Sequence, residues 1–240
     1  MNIRKKILTR CGALLTAVLV LAPTALAAEA EIPYIPQTVP AAQLAPADQR
    51  GQEDWQLLLV NPWHTVPEGY EIKLATLSNG LQVDERIYDD LDDMLSDCRE
   101  AGLNPIVCSA YRTEATQTRL YRNKVARVRA SGVPEDRVEA EAARWVAKPG
   151  TSEHQTGLAL DIVAAGYQIL DEEQEDTAEQ KWLMENSWKY GFILRYPSEK
   201  SDITGIGYEP WHYRYVGKAA AADIYRTGVC LEEYLSQIGR

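Results

Sequence analysis

Apolar positions along this chain recur with two different periods, and the period changes from one segment to the next. Ile87, Leu91, Met94, Leu95 and Cys98 repeat at helical spacing, with Asp84 placed to cap the start and Gly102 to stop the end. The run over 105–110 reads as a strand that leads into Ser109-Ala110-Tyr111-Arg112. A second helix is predicted over 113–130 and a third from Pro134, at a first helical position, to 147. The nearly continuous apolar run 158–163 predicts a buried strand, with Asp161 on the same side as Ala159 and Val163. Trp182, Leu183 and Trp188 point to a further helix closed near Gly191, followed by strands over 192–196 and 207–215 and a helical tail over 218–238. Helices and strands mix without regular alternation, which predicts an α+β fold with a small, largely antiparallel sheet flanked by helices.

The ends of the chain change this picture in one respect. Residues 1–27 read as a signal peptide: Arg4, Lys5, Lys6 and Arg10 form a basic start, an apolar stretch follows, and Ala25-Leu26-Ala27 offers a small-residue cleavage site. That stretch falls short of the ~20 residues that span a bilayer, so cleavage is expected and membrane contact only through an uncleaved leader. Residues 28–53, rich in Ala and Pro, suit an extended tether. Residues 54–240 are enough for one well-buried domain and too few for two. The expected site of action is extracytoplasmic and the expected state a monomer.

Charge and cysteine content narrow the partners. The net charge is −10, and loss of a leader holding four basic and no acidic residues leaves −14, which argues against nucleic acid or an anionic membrane as partner. Cys98, Cys108 and Cys230 remain beyond the leader, an odd number without the paired spacing of a structural zinc site. They read as small core residues.

The chemistry is concentrated in two segments. Ser152-Glu153-His154-Gln155-Thr156-Gly157-Leu158-Ala159-Leu160-Asp161 is answered some fifty residues later by Glu209-Pro210-Trp211-His212, in a chain with three histidines in all. A catalytic zinc takes three protein ligands and leaves a position for water, from which a nearby Glu can remove a proton. His154, Asp161 and His212 would be the ligands and Glu209 the base. A bare Asp in an apolar strand is costly unless paired or metal-bound. Gly157 would let the loop curl back and return His154 to Asp161. The alternative, a helix carrying 154 and 161 two turns apart, is opposed by Pro149-Gly150 and Gly157. Glu209 and His212 would face opposite ways on a straight strand, so both reach one metal only if the chain bends at Pro210. Glu153 reads as a solvated loop acid, with a place behind the metal ligand as the alternative, and His64 as structural or exposed.

These segments, with Ser109-Ala110-Tyr111-Arg112, Gln117 and Pro149-Gly150-Thr151, resemble the zinc D-Ala-D-Ala carboxypeptidases of the VanY type, close to the L,D-carboxypeptidases that share their fold. The resemblance runs from about Leu57 to Tyr234. It implies Zn2+ on His154, Asp161 and His212, with Glu209 as base. It further implies that Arg112 steadies the oxyanion or grips the substrate carboxylate, and that Gln117 and Ser152 hydrogen-bond the substrate. The implied substrate is the peptidoglycan stem peptide or its precursor, which would lose its terminal D-alanine. Two other readings stay open: an L,D-carboxypeptidase acting on stem tetrapeptides, and a non-catalytic wall-binding domain that keeps a structural zinc.

Overall fold

The computed structural model describes residues 54–240. The expected signal peptide and tether, 1–27 and 28–53, lie outside the described residues. Among the described residues, no helix is long and apolar enough to cross a membrane.

The fold is built on a four-stranded sheet in the order β3-β4-β6-β5, every neighbouring pair antiparallel: β3 (Pro105–Ser109), β4 (Ala159–Ala164), β6 (His212–Tyr215) and β5 (Phe192–Leu194). A separate hairpin, β1 (Leu74–Thr76) and β2 (Gln82–Asp84), precedes the first helix; its three-residue strands are too short to have left a period in the sequence. The helices are α1 (Tyr88–Glu100), α2 (Glu114–Ala130), α3 (Glu135–Ala143), α4 (Ala178–Asn186), the short α5 (Ser201–Thr204), α6 (Lys218–Thr227) and α7 (Leu231–Gln237).

Strand alternation divides the sheet into two chemically different faces. Leu158, Leu160 and Ile162 from the β4 segment, with Tyr213 and Tyr215 of β6, join Leu91, Met94 and Leu95 of α1 and Leu183 of α4 in the main core. The intervening residues, Ala159 and Asp161 on β4 and His212 and Arg214 on β6, fall on the opposite face. There the register pairs Ala159 with Arg214 and Asp161 with His212. A second cluster packs α6 and α7 against Trp188 and Ile193, and a third joins α2 to α3.

Most predicted elements are present, with shifted ends. Asp84 caps a 3-10 turn that runs into α1, and Gly102 takes a left-handed conformation just past its end. Pro134 is the N-cap of α3 instead of its first residue, and α3 stops at Ala143, not 147, because the chain turns out to carry Trp145, Val146 and Ala147 toward a cleft and then meets Pro149. The strand expected over 207–215 begins only at His212, since residues 209–212 form a turn. The strand expected over 192–196 closes at Leu194. The tail is two helices, broken where Gly228 adopts a left-handed conformation. Cys98 and Cys230 are buried as expected, but Cys108 is exposed. It lies at a bulge in β3, where Val107 pairs with Ile162 and Ser109 with Asp161.

Candidate metal centre

Three devices of the chain converge on the polar face of the sheet. Asp161 is held in the middle of β4, between β3 and β6, and His212 opens β6 directly across from it. His154 comes from a 3-10 turn, Glu153–Thr156, which Gly157 ends at φ 71°. Gly157 thus performs the curl expected of it, and no other residue fits well: a side chain there would run into Ile72 and into the backbone of Asp84. The bulge in β3 sets Ser109 opposite Asp161 and leads the chain to Ala110 and Arg112, which both contact the site.

The ligand atoms of His154, Asp161 and His212 all lie within 4.8 Å of one another, and all three residues are buried. His154 Nε2 is 3.3 Å and His212 Nδ1 3.1 Å from Asp161 Oδ1. Donors bonded to one tetrahedral zinc at ordinary lengths stand about 3.3 Å apart, so the set fits that ion. The hydrogen bonds agree. His154 Nδ1 lies 2.8 Å from the carbonyl oxygen of Ala110, which accepts its proton and leaves the Nε2 lone pair facing a carboxylate. A cation between them turns that repulsion into coordination.

The two imidazoles differ in environment. Burial, with the neighbouring Arg112 guanidinium, pushes the His154 pKa down to about 4. Burial acts the same way on His212, but the carboxylates of Asp161, Glu153 and Glu209 outweigh it and raise its pKa to about 9. Asp161 is held well below the usual carboxylate range, because both histidines and Arg112 overcome the effect of burial.

Glu209 reaches the same point by the bend at Pro210: His212 N–H donates to Glu209 O at 3.1 Å, closing a four-residue turn. Its Oε2 stands 3.7 Å from His212 Nδ1. Burial pushes its pKa up to about 8, with Asp161 adding to the shift. Arg112 donates from Nη2 to Asp161 Oδ2 at 2.7 Å and from Nε to Ser109 Oγ at 2.9 Å. Ser152, Arg112 and Glu209 line one cleft of about 780 Å³ with His154, Asp161 and His212.

Two expectations are corrected here. Gln117 does not line the cleft: it is fully buried, donates from Nε2 to Ala147 O at 2.7 Å, and its Oε1 is 3.5 Å from Arg112 Nη1, so it stands behind the arginine. Glu153 is no solvated acid. It is 1% exposed and accepts from Arg195 Nε and Arg214 Nη1, both at 2.7 Å. His64 is exposed and apart from the site, bonded to Asn61. The sequence reading also missed Lys124, Arg127 and Trp145 on the cleft wall. Leu120, Lys124 and Arg127 do repeat at i, i+4 and i+7 on α2, which is the one signal that places them together.

The family model "VanY: D-alanyl-D-alanine carboxypeptidase" matches residues 80–218, which span every residue of this centre. A D-alanyl-D-alanine carboxypeptidase of Enterococcus faecalis (strain ATCC 700802 / V583) is 48% identical over 194 residues, covering 80% of this chain and 70% of that protein. A variant of the vancomycin resistance D,D-pentapeptidase VanY from the VanB-type resistance cassette, solved with Zn(II), superposes with a TM-score of 0.69 at 48% identity, covering 75% of this chain and 99% of that one. The LD-carboxypeptidase LdcB superposes with a TM-score of 0.63 at 33% identity, covering 83% and 97%.

Proposed function

The chain belongs to the VanY family of D-alanyl-D-alanine carboxypeptidases and is a zinc metallocarboxypeptidase, and we propose that it removes the terminal D-alanine from peptidoglycan stem peptides outside the cytoplasm. The observation that carries this reading is the placement of Glu209 and Arg112 in one cleft with all three ligand residues. The leader-like composition of residues 1–27 supports the extracytoplasmic setting.

His154 through Nε2, His212 through Nδ1 and Asp161 through Oδ1 would hold the zinc. When bound, it supplies a Lewis acid that acidifies water and polarises the scissile carbonyl. Glu209 takes the proton that water loses as its oxygen attacks that carbonyl, and gives a proton to the leaving amine of D-alanine when the C–N bond breaks. Arg112 is held at the site by Asp161 and Ser109 and offers fixed positive charge to the developing oxyanion or to the substrate carboxylate. Preorganised charge of this kind needs no rearrangement as the reaction proceeds.

Mass spectrometry of the protein incubated with stem pentapeptide and, separately, tetrapeptide tests the reading. Chelator-sensitive loss of one D-alanine from the pentapeptide is expected. The likeness to LdcB favours the second reading, L,D-cleavage, and release from the tetrapeptide alone would establish it. No cleavage of either by zinc-loaded protein would overturn both.

A further inference from the structure

Two buried polar atoms lack a hydrogen-bond partner among the described residues, and they face each other: Glu153 Oε2 and His212 Nε2, 3.5 Å apart. Each belongs to a group whose other atoms are fully engaged. Glu153 Oε1 accepts from both Arg195 and Arg214. On the far side of its ring, His212 directs Nδ1 at Asp161 Oδ1. We propose that Glu153 is a positioning residue for His212, accepting the Nε2 proton so that Nδ1 is presented to the metal, and that Arg195 and Arg214 form the rigid frame that aims it.

The frame is unusually well tied. Arg195 and Arg214 are both fully buried. Arg195 also forks onto Glu232 of α7, with Nη1 to Oε2 at 2.9 Å and Nη2 to Oε1 at 2.7 Å. Arg214 spends Nη2 on the carbonyls of Gln56 and Leu58, at 3.0 and 2.7 Å, and Nε on Tyr215 O at 2.9 Å. Glu153 therefore has no freedom to turn away, and Oε2 is left aimed at the imidazole. The cross-strand register explains why one carboxylate can serve both groups, since Arg214 sits two residues along β6 from His212, on the same face. A carboxylate behind a ligand imidazole fixes its tautomer and ring orientation, and losing such a partner typically costs about 10–100-fold in metal affinity or activity.

This inference rests on the zinc reading above, and its test separates the two. Zinc affinity of the full chain is measured by chelator competition for wild type and Glu153→Gln, beside nitrogen-15 imidazole spectra of the zinc-loaded wild type. The variant is expected to bind zinc about 10–100-fold more weakly, and the wild-type spectra to show His212 protonated at Nε2 and ligating through Nδ1. An Nε2-ligated His212, or unchanged affinity in a folded variant, overturns the proposal while leaving the zinc centre intact. A wild type that binds no zinc overturns the centre itself. Because the spectra need no substitution, the proposal stays testable if Glu153→Gln fails to fold.

Discussion

Asp161 and His212 are direct partners across the β4–β6 ladder, so the sheet register itself sets the distance between two of the three candidate zinc ligands. The spacing of 3.1 Å between Oδ1 and Nδ1 is a product of strand pairing, not of loop placement. Asp161→Asn keeps the shape and the strand but removes the charge that the two histidines and Arg112 share. It should lower zinc affinity by more than the ~100-fold that a supporting residue commands, with secondary structure preserved. Elemental analysis after dialysis, beside circular dichroism, checks this; full zinc content would exclude Asp161 as a ligand.

Glu209 stands 3.7 Å from His212 Nδ1 and outside the cluster that His154, Asp161 and His212 form, a placement that suits a base and not a ligand. Glu209→Gln should therefore keep zinc and lose about 10²–10⁴-fold in turnover, the range of a general acid–base group. D-alanine release measured beside zinc content decides the point. A variant that retains zinc and full turnover would assign the proton transfers elsewhere.

The convergence of these residues was legible in the sequence because they are rare types in unusual settings: an Asp inside an apolar strand, and two of three histidines flanked by Gly157 and Pro210. The bend at Pro210 and the curl at Gly157 followed from backbone chemistry that those residues alone carry. What the sequence hid depends on contacts between distant segments. Glu153 looked solvated because nothing local shows that Arg195 and Arg214 lie 42 and 61 positions away in sequence and close in space. Gln117 looked substrate-facing for the converse reason, since the carbonyl of Ala147 that claims its amide belongs to another segment. The β1–β2 hairpin escaped because three-residue strands carry no measurable period.

Gly157 combines φ 71° with a neighbour that cannot yield, the backbone nitrogen of Asp84 at 2.9 Å from where a Cβ would stand. Gly157→Ala adds left-handed strain and overpacking, together about 2–4 kcal/mol. For a domain of this size that is a fall in Tm of roughly 4–16 °C. Calorimetry of the zinc-loaded protein tests it. Because the residue ends the turn that carries His154, zinc affinity should fall as well; an unchanged Tm would show that the loop relaxes freely.

Glu232 gives the fold a predictable acid sensitivity. Burial alone would raise its pKa, but the Arg195 guanidinium and the Asn61 amide outweigh burial and hold it below the ordinary glutamate value. A carboxyl whose folded pKa lies below its unfolded one adds stability that is fully present above the unfolded pKa and is lost as pH falls through the folded one. Wild type should therefore exceed Glu232→Gln in unfolding free energy near pH 7, where the variant costs buried Arg195 one of its two carboxylate partners and leaves it Glu153, a loss smaller than the about 3–5 kcal/mol of a buried charge left wholly unpaired. The gap should narrow as the pH drops below about 4.3, the free glutamate value. Denaturant titrations of both proteins at pH 7 and pH 3.5 measure it. A gap that stays constant between the two pH values would mean that Glu232 contributes through packing and shape, with no share from its charge.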